Sequence, residues 1–359
     1  MNCFVGVHKF PQIMYKRMIK LKKIIALLLA SIMIISSFAT TVSAVSISES
    51  KEALREQFEY GKGPKTGLYS VDYRYYAPET SEGSKHPLVI WAHGQSHGQY
   101  DGFQIKSNDI VNWSSDEYQS RSENGFYIMA VRSPEHIGLS WDDDMIAPLK
   151  AAIDDFIEKN REHIDATKIY MGGFSLGGMM SYKMAINYPD MFAAIFPVCP
   201  YISVSEQDAE KFADVPVWMV AGKKDHLVSY NGTVNNWENI CSTSNVLQEC
   251  RFSTLSKVCL PDGSRAPTEH YSWEAVTADM FTTDNGAYPH MATVDGNGNE
   301  VVLSYPEGMI SWLMAHSSHY NPETDNSEIK PVFNILNIIK APIMTVYIIF
   351  RNLVRPIFG

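Results

Sequence analysis

Ser175 lies in Gly173-Phe174-Ser175-Leu176-Gly177, directly after the β-branched and aromatic run Lys168-Ile169-Tyr170-Met171 and directly before a methionine-rich stretch of helical character. A serine hydroxyl acts as a nucleophile only where it stands clear of the backbone and a base can take its proton. The first condition explains the glycines. A sharp, strained turn from strand into helix holds Oγ above the sheet edge, and side chains two residues before or after the serine would strike neighbouring backbone, so Gly173 and Gly177 are called for. Gly172 and Gly178 then let strand and helix approach closely.

The second condition points downstream, where this architecture orders its residues as serine, acid, histidine. Asp225, in "VPVWMVAGKKDHLV", follows the next-but-one strand after the serine and falls on the same carboxyl edge of the sheet. Its other reading is a loop aspartate that caps the segment after it. His226 is too close in sequence to its orienting acid to be the base and reads as structural. Two histidines compete for that role. His270, in "EHYSWEAV" among aromatics that can wall a site, is favoured over His290, in "AYPHMATVDGNG", which also precedes the last amphipathic stretch "PEGMISWLMAH". His316 and His319 come at or after that stretch and read as surface residues.

Acyl transfer also needs two backbone donors aimed at the oxygen that becomes negative. One is the N–H of Leu176, next after the nucleophile at a helix N-terminus; the other, Gln95 N–H, sits in the His93-Gly94-Gln95 loop that ends "PLVIWA". Candidates to line a substrate cleft are His93, Trp141 and Trp273. For His93, fixing the loop is preferred to proton transfer; for the tryptophans, packing in the core is the equal alternative.

These residues can meet only if a sheet brings them to one edge. "HPLVIWAHG" and "GFYIMAVRS" read as buried strands, and "GLYSVDYRYYAPE" as a strand pair after polar, helix-like sequence reaching about Glu59. "MIAPLKAAIDDFIEKN" has helical spacing, from Ile146 through Leu149, Ile153 and Phe156 to Ile157. "KIYMGGFS" is a strand, "LGGMMSYKMAINY" a helix stopped by Pro189, and "FAAIFPVC" and "VPVWMVAG" are strands. Strands alternating with helices imply an α/β fold with a mainly parallel central sheet and helices on both faces. No repeat or low-complexity linker interrupts residues 45–320, which read as one catalytic domain.

"IDATKIYMGGFSLGGMM", "NYPDMFAAIFPVC", "WAHGQ", "AGKKD" and "EHYSW" resemble the secreted α/β-hydrolase esterases related to polyhydroxybutyrate depolymerases and feruloyl or acetyl-xylan esterases. The likeness spans roughly residues 66 to 315. It implies an α/β-hydrolase fold with Ser175 as nucleophile, Asp225 as orienting acid and His270 as base. It also implies a His-Gly loop supplying part of the oxyanion hole, no cofactor, and a small-molecule or polymeric ester as substrate. The chain departs from those relatives after His270, where "TADMFTTDNGAYPHMATVDGNGNEVVLSYP" looks like an added hairpin and keeps His290 in contention.

The remaining features narrow the classes. Residues 45–330 hold all 40 acids against 21 Lys and Arg, a formal charge of −19, and no basic stripe is interleaved with aromatics, so nucleic acid is excluded as a partner. Residues 1–44 combine six basic residues, no acid, the apolar run Ile24 to Ala39 and the ending Val42-Ser43-Ala44. That is a signal-peptide layout, with Met18 as an alternative start and a retained membrane anchor as the other reading, so a secreted or cell-surface protein is expected. Cys199, Cys241, Cys250 and Cys259 remain in the mature chain, with a disulfide among the last three and free packed thiols as equal readings. Asp142-Asp143-Asp144 reads as helix capping and "DGNGNEVVLSYP" as a hairpin turn, since its twelfth position is Pro306 where a calcium loop needs Glu, so no metal is expected. The tail, residues 321–359, turns apolar and basic from 331 onward; its uninterrupted run Ile343–Phe350 falls short of the roughly 20 residues of a span. A membrane-surface helix and docking on protein are its two readings. Across classes, a serine peptidase of the same fold and a non-catalytic binding protein stand as alternatives to the esterase.

Overall fold

The structure is a computed structural model that describes residues 51–95, 100–134, 141–283, 286, 287, 290–304, 306–325, 327 and 329. The signal-peptide assignment lies outside these residues, as does the tail from 330 onward. The chain divides into residues 1–53 and 54–359, and the sheet and its helices belong to the second unit. Among the described residues no helix is long and apolar enough to cross a membrane.

The strands are β1 (Glu59–Lys62), β2 (Asp72–Tyr76), β3 (His86–Ala92), β4 (Tyr127–Arg132), β5 (Ile164–Phe174), β6 (Ala194–Val198), β7 (Trp218–Gly222), β8 (Arg251–Leu255), β9 (Thr282–Thr283), β10 (Gly286–Ala287) and β11 (Met291–Asp295). Among the described residues nine of them form one sheet in the order β1-β2-β4-β3-β5-β6-β7-β8-β11. From β4 to β8 every pairing is parallel, while β1, β2 and β11 add antiparallel edges. Parallel strands need crossovers that cover both faces, so their sequences run apolar without alternation. In β3 the two faces separate residue by residue: Leu88, Ile90 and Ala92 join one core cluster, and Val89 and Trp91 the other.

The helices that cover the sheet include α1 (Ile146–Lys159), α2 (Leu176–Asn187), α3 (Tyr230–Thr243), α4 (Trp273–Thr277) and α5 (Met309–Met314). Leu149 and Ile153 of α1, Met180 of α2 and Trp237 of α3 pack in the first cluster, while Ala275 of α4 and Ile310 of α5 pack in the second. In that second layer Phe196 stacks between Trp91 and Trp113, at ring-centroid separations of 5.8 and 5.7 Å. Gly172 gives the Phe196 ring its room, because a Cβ there would fall 2.3 Å from it.

Two sequence expectations change. "GLYSVDYRYYAPE" holds one sheet strand, β2, whose antiparallel partner β1 starts at Glu59, where the sequence places the end of helix-like structure. The segment after His270 is also more than an added hairpin. Its β9–β10 ribbon is followed by β11, which pairs with β8 and extends the main sheet. Buried Asp279 ties this segment down by accepting from Met309 N–H (2.6 Å) at the start of α5 and pairing with Arg121.

Candidate active site

Strand β5 ends at Phe174, and Ser175 follows with φ 56° and ψ −116°, a left-handed conformation that a side chain adopts at a cost on the order of 1–3 kcal/mol. Three backbone bonds hold it there. Ser175 N–H donates to Val198 O (2.9 Å), and Ser175 O accepts from Met179 N–H (3.0 Å) and Tyr201 N–H (3.1 Å). The glycines are required by contact: a Cβ on Gly177 would fall 2.0 Å from Ala92 O, and one on Gly173 2.5 Å from the same oxygen. The Ser175 turn therefore packs directly on the end of β3, where the His93 loop begins.

Asp225 leaves β7 through a turn in which its N–H donates to Gly222 O (3.2 Å). Its carboxylate serves two directions. Oδ1 accepts from Leu227 N–H (2.8 Å) and Val228 N–H (3.0 Å), and Oδ2 meets His270 Nδ1 at 2.7 Å. Burial alone would raise this carboxyl, but the bonds from His270, Val228 and Leu227 outweigh it and hold the group below the ordinary aspartate value. For His270 burial disfavours the cation, yet the hydrogen bond to Asp225 and the nearby Cys199 thiol reverse the balance and raise it. An ionised carboxylate only accepts, so the proton between them sits on Nδ1, and it is in the neutral ring that Nε2 is left to act as an acceptor.

His270 is delivered by the turn Glu269–Ser272, whose start is capped as Thr268 Oγ1 accepts from His270 N–H (3.1 Å). That turn lies against the end of β7, since a Cβ on Gly222 would fall 2.4 Å from Glu269 O. The imidazole lies 6.3 Å from the Phe174 ring, next to the serine in sequence, and 6.1 Å from Trp273. Sequence reasoning does not single out Thr268, Gly222 or Cys199 for this site. The glycine just before the acid's loop is the available signal; the other two are recognisable only from the fold.

The competing histidine is placed elsewhere. His290 is exposed, has φ 72°, and its carbonyl accepts from Ser256 N–H (2.9 Å) at the far edge of the sheet, while Asp225 Oδ2 faces His270. His226 is exposed on the acid's loop, and His319 is also exposed. His316 departs from its surface reading: its side chain is only 10% exposed, its Nδ1 pairs with Trp312 O (2.7 Å) and its ring packs on Trp312.

His93 and Trp141 do not line a cleft, because they are 0% and 1% exposed. His93 Nε2 accepts from Ser133 N–H (3.2 Å), so its Nδ1–H is the donor to Gly94 O (2.6 Å); burial pushes this imidazole down to about 4. Trp141 Nε1–H donates to His93 O (2.8 Å). Both residues brace the loop that presents exposed Gln95. Trp273 is buried against Phe174 and Tyr271, with ring centroids 4.3 Å away in each case. Leu176 is the first residue of α2, a position whose N–H has no acceptor within the helix.

Elsewhere, Asp142 caps its helix as its Oδ1 accepts from Asp144 N–H (3.4 Å), and Asp143 forms an ion pair with Lys183. Asp295 Oδ1 closes its hairpin turn by accepting from Asn297 and Asn299 N–H (2.9 and 2.8 Å). Cys199, Cys241, Cys250 and Cys259 are free thiols.

Comparison with known proteins bears on the fold. Residues 134–249 match the prolyl oligopeptidase family model, a stretch that includes Ser175 and Asp225 and stops before His270. A 100-residue stretch, 28% of the chain, is 29% identical to "Putative esterase NocK" of Nocardia uniformis subsp. tsuyamanensis, of which it covers 29%. Among solved structures, a thermostable esterase superposes with a TM-score of 0.54 at 19% identity, over 74% of this chain and 64% of that one. An acylaminoacyl peptidase of Pyrococcus horikoshii gives 0.39 at 17% identity, over 52% and 35% of the two chains. The chain thus spans less than a third of the curated relative and under two thirds of the esterase. The fold is the α/β-hydrolase fold.

Proposed function

We propose that this protein is a serine hydrolase that cleaves carboxylic esters through an acyl-enzyme. The observation that carries the reading is the 2.7 Å bond from His270 Nδ1–H to Asp225 Oδ2, in a chain whose Ser175 is held in a left-handed turn. His270 Nε2 takes the Ser175 Oγ proton as oxygen attacks the ester carbonyl, and Asp225 stabilises the imidazolium that forms. The N–H groups of Leu176 and Gln95 receive the oxyanion, each such donor lowering the barrier by roughly 3–4 kcal/mol. As the intermediate collapses, His270 returns the proton to the departing alcohol; water, deprotonated by the same nitrogen, then releases the acid and restores Ser175.

The experiment is fluorophosphonate labelling followed by peptide mass spectrometry, with activated-ester turnover measured on the wild type and on Ser175→Ala. Label on Ser175, and turnover in the variant below a tenth of wild type, are expected. Label elsewhere, or a variant within tenfold of wild type, would overturn the reading.

The finer reading is a depolymerase- or feruloyl-esterase-like enzyme working outside the cell, for which the ordered motifs and the signal-peptide layout of residues 1–44 are the support. N-terminal sequencing of the protein from culture medium is expected to begin near Val45, and an intact Met1 or Met18 there would contradict export with cleavage. One observation favours a second reading, amide hydrolysis: the match of residues 134–249 to the prolyl oligopeptidase family. Faster turnover of aminoacyl-anilides than of aryl esters would select it.

A further inference from the structure

Cys199 follows β6 in a conformation that needs a reason. It has φ 35° without being glycine, is buried, and comes directly after Val198, whose carbonyl holds Ser175 N–H at 2.9 Å. Two residues on, Tyr201 N–H holds Ser175 O at 3.1 Å, so residues 198–201 clasp the nucleophile turn from both sides. The side chain between these two bonds turns toward the other half of the site. Its thiol donates to the main-chain carbonyl of His270 at 3.5 Å. Its sulfur lies within 4.8 Å of both a ring nitrogen of His270 and a carboxylate oxygen of Asp225.

We propose that Cys199 is a positioning residue for the base: it locks the turn carrying His270 to the segment that clasps Ser175 and sets its sulfur beside the imidazole. This role rests on reading His270 as the base. A thiol has one weak donor and weak acceptor capacity. With S–H directed at the His270 carbonyl, the lone pairs favour the protonated ring. Among the described residues the titratable groups facing His270 are Asp225 and Cys199, while Glu269 on its own turn is drawn away to Arg265 (2.8 Å). A small apolar residue would fill the site without linking the two loops. Glycine would even relieve the backbone, since φ 35° is open to it without strain.

The relief available to glycine separates positioning from structure. Cys199→Gly eases the strained backbone and removes the thiol, while Cys199→Ser keeps a donor and lone pairs on the same framework. Urea unfolding checks that both variants fold. The readouts are His270 titration by NMR of protein labelled with ¹⁵N-histidine, repeated on a Ser175→Ala background, and the pH profile of kcat/KM for an activated ester. In Cys199→Gly the His270 titration is expected to fall by about half a pH unit, the scale of losing a weakly polar neighbour of the cation and loosening the turn that carries the ring. The kcat is expected to fall about five- to tenfold, the equivalent of one hydrogen bond's net contribution. Cys199→Ser should restore most of both. An unchanged titration in the glycine variant, or a serine variant that behaves like glycine, overturns the proposal. Since the NMR titration reads the Cys199–His270 linkage without turnover, it stands apart from the question of whether His270 is the base, which His270→Ala decides.

Discussion

Two buried charge clusters in this molecule use the same chemistry to opposite ends. At the carboxyl edge, Asp225 and His270 share one hydrogen bond through Nδ1 and leave Nε2 outside it. On the face covered by α1, the nearly inaccessible Lys150 directs its ammonium at Asp154 Oδ1 and Oδ2 (2.7 Å each) and at Asp325 Oδ2 (2.9 Å). It also lies 5.3 Å from the Tyr188 ring and 6.0 Å from that of Tyr320. An ammonium has three N–H groups, so this arrangement uses all of its donor capacity internally and staples the segment around Tyr320–Asp325 to the α1 layer. A structural ion cluster satisfies every donor; a reactive one holds an atom back. The carboxylates respond in kind. Burial raises Asp154 despite Lys150. Burial acts on Asp325 in the same direction, but there the bonds from Ser327 and Lys150 prevail and bring it down to about 2.

The two clusters differ most at the histidine. Removing His270 deletes both the shared bond and the held-back nitrogen, so His270→Ala should lower kcat by about 10³ or more, as loss of a triad member does. His290→Ala, at an exposed position on the far edge, should change it by less than about threefold, within the ordinary range of a surface substitution. Turnover of one activated ester near neutral pH, with circular dichroism on both variants, checks this. A dead His290→Ala alongside an active His270→Ala would move the base to the far edge and undo the contrast with the lysine cluster.

At the lysine cluster the effect should be on stability and not on rate. Lys150→Met leaves Asp154 and Asp325 without their cation; these side chains keep 32% and 17% exposure, so the cost should be about 2 kcal/mol, below the roughly 3–5 kcal/mol of a fully buried pair. The Lys150 donors are spent on α1 and on the segment around Asp325, away from the carboxyl edge. The kcat should therefore stay within about twofold of wild type while the urea midpoint falls with an unchanged m-value. A rate loss larger than the stability loss would mean that the α1 face is coupled to the site.

What the sequence reveals of this contrast depends on the range of the interactions involved. The serine turn is legible because its demands are local: strand, glycines and helix occupy one contiguous stretch, and the contacts of Gly173 and Gly177 with Ala92 O are what such a turn requires. The order of serine, acid and histidine carries the rest of the candidate site. For His93 and Trp141 the sequence leaves cleft lining open beside loop-fixing and core packing, because nothing local says which side of a loop an aromatic packs on. The pairing of β11 with β8, and the closeness of Cys199 to His270, arise between segments 36 and 71 residues apart, and no local pattern encodes them. Lys150 shows the same limit from the other side. The apolar spacing of its helix is clear, yet nothing near it in the chain announces that Asp325 arrives from a segment 175 residues away.

The smallest predicted effect, and the one that best separates the two clusters, is their response to pH. His270 titrates above the ordinary imidazole value of 6.5, and only its neutral form can accept the serine proton. The kcat/KM should therefore rise with pH through a midpoint above 6.5. Folding responds with the opposite sign. A histidine whose folded value exceeds its unfolded one contributes stability that is complete below about 6.5 and is lost as pH rises through the folded value. Over the alkaline limb activity should thus grow while stability slips, and His270→Ala should abolish that particular decline. Asp325 behaves differently: depressed to about 2, first by Ser327 and then by Lys150, its contribution is present above the ordinary carboxylate value and is lost only as pH falls toward 2, so Lys150→Met should flatten part of the acid limb and leave the alkaline one alone. Urea unfolding from acid to mildly alkaline pH on the wild type and the two variants would show it. A wild-type enzyme whose activity and stability rise together above pH 6.5 would contradict the raised imidazole, and with it the view that Asp225 holds His270 ready while Lys150 is fully bound.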